Sequence, residues 1–116
     1  MRSKSPFGAL SDIKQNVELA RAFISGFTFT AFQADQRTVY AIARCLEVIP
    51  EASRRLPTEL KDRHPNIPWR DIAALGSVYR HDYERVRDDV MWRTVQESLA
   101  PLLTVVEQEL GRLSKG

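Results

Sequence analysis

The feature that most constrains this chain is the spacing of its apolar residues, which is helical almost from end to end. Leu10, Ile13, Val17, Ala20 and Ile24 advance by steps of 3, 4, 3 and 4. Such steps keep side chains on one face of a helix. Val39, Ile42, Leu46, Ile49 and Leu56 repeat the pattern, with small Ser53 filling one turn. Met91, Val95, Leu99, Leu102, Val106, Leu110 and Leu113 make a third stripe. Ser11 and Asp12 suit the start of the first helix and Gly26 its end. Phe27 to Phe29 alternates like a strand but is too short to stand alone, and reads as a loop. Thr30 and Gln33 have capping-box spacing and predict the start of the second helix. Pro57 and Thr58 begin a short third helix that ends near Arg63. Pro68 suits the first position of a fourth, from Trp69 to about Arg80. Asp88 and Asp89 favour the start of a fifth. Pro50 and Pro101 fall inside stripes, where a missing donor and a ring clash predict a kink or bend. These helices, joined by short connections, predict an all-α antiparallel bundle of four to five helices, with residues 1–116 forming a single domain.

Composition narrows the function classes. No apolar run approaches the roughly 18 residues of a membrane span, so no membrane partner is expected. The basic start, Met1 to Lys4, is followed by no apolar signal core. The single Cys45 excludes an internal disulfide framework and any Cys-rich zinc site, and fits a reducing cytoplasm. Its place beside the second stripe suggests a buried, inert thiol. With 5 glycines no Gly-rich phosphate loop can be drawn. The formal charge of +2 is too small to hold long nucleic acid by charge alone. Between Glu51 and Arg93 the balance is nine Lys/Arg against eight Asp/Glu, so an RNA contact must come from local geometry.

The residues themselves offer one place for chemistry. His81-Asp82-Tyr83 follows the fourth helix, flanked by Arg80, Arg85 and Arg87. Taken alone, such a run reads as a solvated turn. The alternative is general acid–base work on an anionic substrate, since a near-neutral base lies beside a phenol. Asp35 and Glu51, 16 residues apart, would stand about 24 Å apart on a straight helix and form no carboxylate pair. His64 beside Pro65 reads as exposed turn structure, and Trp69 as the anchor of that turn. His64 and His81 lack partners at metal spacing, so neither a metal nor another cofactor is expected.

Several blocks in this order resemble the HepT-like family of the HEPN superfamily. They are Phe32-Gln33-Ala34-Asp35, Leu46 to Ala52, Leu56-Pro57, Pro65-Asn66-Ile67-Pro68-Trp69, His81-Asp82-Tyr83, Trp92 and Leu99-Ala100-Pro101. The Pro-x-Ile-Pro-Trp block followed by His-x-Tyr is the most specific part, and the likeness spans roughly Leu10 to Leu113. The resemblance implies a HEPN-like helical bundle that forms a homodimer. It implies a metal-independent endoribonuclease toxin of a toxin–antitoxin module, with its cleft at the dimer interface. The implied partner is an MntA-like nucleotidyltransferase antitoxin, which silences the toxin by moving AMP from ATP onto the tyrosine of the family motif.

That motif reads Arg-Asn-x-x-x-His-x-Tyr. It places the catalytic His at His81 and the AMP acceptor at Tyr83. The motif's Arg falls on Gly76 and its Asn on Ser77. The family's Ile-Gly-Glu-Ala block is Ile49-Pro50-Glu51-Ala52 here. Arg80, four residues beyond Gly76, is the nearest substitute cation and shares its face if the helix continues that far. Ser77, Gly76, Glu51 and Asp35 complete the expected cleft. Two readings follow: a ribonuclease toxin using His81 and Arg80, or a catalytically silent module that binds a nucleotidyltransferase or a nucleotide.

Overall fold

The computed structural model describes residues 5–81 and 88–115, and for residues 76–81 it describes the backbone. Among the described residues every regular element is helical. In chain order these are α1 (Phe7–Ile24), α2 (Phe29–Ala34), α3 (Gln36–Arg54), α4 (Thr58–Asp62), α5 (Trp69–His81) and α6 (Asp88–Arg93). A π-helical turn (Thr94–Ser98) then joins α6 to α7 (Leu99–Lys115). The fold is the expected all-α bundle. Its long members are α1, α3, α5 and the continuous α6–π–α7 rod, with α2 and α4 as short connectors. Helix α3 lies between α1 and α5, and α1 also packs on α7. No helix of the described residues is long and apolar enough to cross a membrane.

The stripes form the core. Leu10, Ile13, Val17 and Ala20 are fully buried, as are Phe32, Ile42, Ala52 and Val106. Ile49, Leu56, Met91, Val95, Leu99 and Leu102 join them. Ser53, the small residue in the second stripe, is buried and donates its hydroxyl to the Ile49 carbonyl at 2.9 Å, which satisfies its only polar group. The last stripe ends early, because Leu113 is exposed near the chain end.

Several local expectations need correction. Helix α1 opens at Phe7, one turn before Ser11, and Gly26 beyond its end takes φ +84°. Glycine carries no Cβ to clash there. The second helix is two helices. Thr28, not Thr30, caps α2, and its hydroxyl accepts from the Ala31 N–H at 3.1 Å. Phe29 is therefore helical, not loop. Asp35 then leaves helical geometry (φ −104°, ψ 92°) and accepts from the Thr38 hydroxyl at 3.0 Å. A short side chain that bonds nearby backbone or hydroxyl groups competes well with a helical bond at such a corner. Pro50 is buried within α3, which runs on to Arg54. Pro101 lies within the first turn of α7, three residues past the π-helical turn. Proline has no N–H for the carbonyl four residues back, and a shift to wider bonding just upstream accommodates that loss.

Candidate functional site

The site builds outward from the turn that starts α5. Trp69 donates its indole N–H to the carbonyls of His64 (3.0 Å) and Lys61 (3.2 Å). This locks the two-proline turn onto the end of α4. Pro68 accepts the first helical bond, from Ile72 N–H at 3.0 Å. From there α5 runs unbroken through His81. The condition on Arg80 is thereby met at the level of the backbone: Gly76 and Arg80 are i and i+4 positions of one helix, about 6 Å apart along its axis.

The turn has a second anchor, which the sequence reading missed. Glu109 on α7 is buried at 3% exposure. Arg63 grips it with two bonds, Nη2 to Oε1 at 2.7 Å and Nε to Oε2 at 3.3 Å. His64 Nε2 donates to Oε2 at 2.5 Å, and Arg112 Nε stands 3.5 Å from Oε1. The Arg63 guanidinium, and after it His64, hold the Glu109 carboxyl below its usual range against the opposing pull of burial. His64 is thus a half-buried hydrogen-bond partner of Glu109, not exposed turn structure. The available signal was Glu109 itself. It stands four residues after Val105 and seven after Leu102, an acid on an apolar face. Such a group stays buried only with cationic partners.

The remaining expected site residues are dispersed or outside the description. Gly76, Ser77, Arg80 and His81 are on α5 by backbone; their side chains, and all of Tyr83, lie outside the described residues. Glu51 is exposed and pairs with Arg55 at 3.3 Å, and Arg55 reaches Asp12 of α1 at 2.8 Å. Asp35 stands at the other end of α3, at the α2–α3 corner. The two carboxylates therefore do not meet within one chain. Cys45 is buried, and burial pushes its thiol up to about 11. Among the described residues no three His, Cys, Asp or Glu side chains group as a metal site.

Among the described residues a cavity borders α5. It measures about 470 Å³ and opens between α3, the 66–68 turn, α5, the π-helical turn and α7. Buried Leu46, Ile49, Ile67 and Leu102 form its floor. Its rim carries Asn66, Asp71, Glu97 and Ser98, all exposed. Leu75, the residue before Gly76, is part of its wall.

Comparison with known proteins agrees with this frame. The family described as "Ribonuclease HepT-like" matches residues 13–109. A protein of Thermococcus cleftensis named "Probable ribonuclease HepT" is 39% identical over 93 residues, 80% of this chain and 84% of the relative. Two further relatives carry the name "Putative RNase". One, from Caldanaerobacter subterraneus, is 31% identical over 92% of this chain and 96% of its own length. The other, from Methanocaldococcus jannaschii, is 33% identical over 82% of this chain and 78% of its own. No solved structure matches. With the family pattern matched across nearly the whole helical frame, from mid-α1 to the buried Glu109, the chain belongs to the HepT-like ribonuclease family.

Proposed function

We propose that this protein is an endoribonuclease toxin of a two-gene toxin–antitoxin module, acting in the cytoplasm as a homodimer. The observation that carries the reading is His81 at the end of an unbroken α5, in a chain of a ribonuclease family. His81 takes the proton from a ribose 2′-hydroxyl, and the freed oxygen attacks the adjacent phosphorus and expels the 5′-oxygen. Arg80 stands in for the motif's missing arginine and stabilises the charge that builds on the phosphate. A two-fold axis would bring two such sets together, since a symmetric dimer repeats each contact. Ser77 and Glu51 of each subunit support the cleft.

The partner is a nucleotidyltransferase of the MntA type. The Tyr83 phenol oxygen attacks the α-phosphate of ATP and releases pyrophosphate. The AMP ester places new negative charge beside His81 and Arg80 and repels RNA.

A specific observation favours a second reading. Gly76 occupies the position of the motif's arginine and has no side chain to donate. On that reading the protein binds the nucleotidyltransferase or a nucleotide without cutting RNA. One experiment separates the two. Wild type and His81→Ala are expressed without the partner, and growth and RNA integrity are followed. The toxin reading expects arrested growth and cleaved RNA with wild type alone. Equal growth and intact RNA in both would leave the binding module standing.

A further inference from the structure

The cavity beside α5 has a polarity of its own. Its rim presents two carboxylates, Asp71 and Glu97, and among the described residues no Lys, Arg or His contributes to its lining. Neither carboxylate is engaged in an ion pair or hydrogen bond among the described residues. Thr94, also in the wall, has donated its hydroxyl hydrogen to the Val90 carbonyl at 2.8 Å, so its oxygen faces other partners as an acceptor. Two proline effects add to this balance. Pro50 cannot donate to the Leu46 carbonyl, nor Pro101 to that of Glu97, and all four residues line the cavity. The site is therefore rich in acceptors above an aliphatic floor. Among the described residues this lining favours donors over anions, and it suits a flat, apolar-faced group with several N–H donors on one edge.

Within RNA, one base fits that description best. The Watson–Crick edge of guanine carries two adjacent donors, N1–H and N2–H, which a single carboxylate accepts side by side. Adenine offers one exocyclic amine beside a ring acceptor, and uracil one donor between two acceptors, each of which meets a carboxylate less well. Unstacked bases of single-stranded RNA are commonly read on this edge. The cavity's volume also lies in the range of small-ligand sites, about 300–1,000 Å³. Leu75 is part of its wall, and Leu75 and His81 are about 9 Å apart along the axis of α5. That is the scale of one to two nucleotides.

We propose that this cavity is a guanine-binding pocket, with Glu97 or Asp71 accepting from N1–H and N2–H, and that it selects the RNA position presented to His81. The inference rests on the ribonuclease reading for its role in cleavage, but not for the binding of the base.

The test uses the full-length protein and its Asp71→Asn, Glu97→Gln and Leu75→Trp variants. The first two alter exposed positions and leave the core untouched; the third fills the cavity. Binding of the uncharged nucleosides guanosine, adenosine, cytidine and uridine is measured by NMR titration. Wild type is expected to bind guanosine at least tenfold tighter than the others. One carboxylate substitution should remove that preference by about tenfold, and Leu75→Trp should abolish binding while the helical spectrum is retained. Cleavage of an RNA library should then show guanine enriched at one fixed position, lost in the same variant. Guanosine preference without any RNA cleavage would sink the ribonuclease reading and leave the pocket intact. Cleavage with no nucleoside preference, or capture of a lysine-rich peptide in place of guanosine, would overturn the pocket.

Discussion

Glu109 of α7 holds His64 of the α4–α5 turn, Oε2 to Nε2 at 2.5 Å, while Arg63 next along the chain forks onto the same carboxylate. Because the His64 carbonyl also receives the Trp69 indole, this one buried acid fixes where α5 begins. Removing it leaves the Arg63 guanidinium and the His64 ring without their shared acceptor. Breaking a buried pair costs about 3–5 kcal/mol, and less where one partner is open to solvent. Arg63 is 42% exposed. Glu109→Ala should therefore lose about 2–4 kcal/mol, read as a lower urea midpoint at unchanged slope. A loss within error would show that the cluster is ornamental to the fold.

The same carboxylate sets an acid limit. Its pKa is lowered from the ordinary 4.5, first by Arg63 and then by His64. A group depressed in the folded state contributes stability that is present above its unfolded pKa and lost as pH falls through its folded value. Stability should accordingly decline below about pH 4.5. Glu109→Gln, which cannot titrate, should flatten that part of the decline. Parallel acid profiles for wild type and variant would contradict the assignment.

Phe32 ties α2 to the last rod. It is fully buried, with its ring 5.5 Å from that of Trp92, while Phe29 meets Trp92 edge-on at 5.7 Å. Truncating such a ring loses both transfer energy and packing, about 3–5 kcal/mol. Phe32→Ala should cost that much and shift Trp92 emission to the red, whereas the exposed Tyr40→Ala should cost far less. Equal effects would mean that α2 is not seated on α6.

Cys45 should behave as an inert core atom. Burial raises its pKa from 9.0 to about 11. At neutral pH this cuts the thiolate fraction roughly 100-fold, before steric shielding is counted. A thiol reagent should react with it only as fast as the protein opens, and react fully in urea. Rapid labelling of the native protein would refute its burial.

The stripes were legible because burial depends on periodicity, and periodicity is local. Leu10 to Ile24 and Ile42 to Leu56 bury as their spacing implies. The corners were less so. Thr28 and Thr30 are both sound caps, and the choice between them is decided by packing of Phe32 and Trp92, which are distant in sequence. The Asp35 corner and the π-helical turn likewise depend on how neighbouring helices meet. The partners of Glu109 are 45 and 46 residues away, so only its odd position on an apolar face hinted at them. The cavity was invisible for the same reason: Pro50, Pro68 and Pro101, read singly as punctuation, converge on it in three dimensions. The motif was legible by resemblance alone.

That motif supports the most pointed prediction. Helix α5 carries Gly76 and Arg80 one turn apart. If Arg80 replaces the motif's arginine as the phosphate clamp, Arg80→Ala should lower cleavage by about 10²–10³, the usual effect of losing one such group. Gly76→Arg in the Arg80→Ala background should then restore most of the rate, since it returns a guanidinium to the motif's own position. It should also stabilise the helix slightly, because glycine is about 1 kcal/mol worse than ordinary residues inside a helix. Rates measured on one RNA for wild type, the single variants and the double variant close the cycle. Rescue by Gly76→Arg identifies the clamp by position and charge. An Arg80→Ala variant as fast as wild type would remove Arg80 from the mechanism.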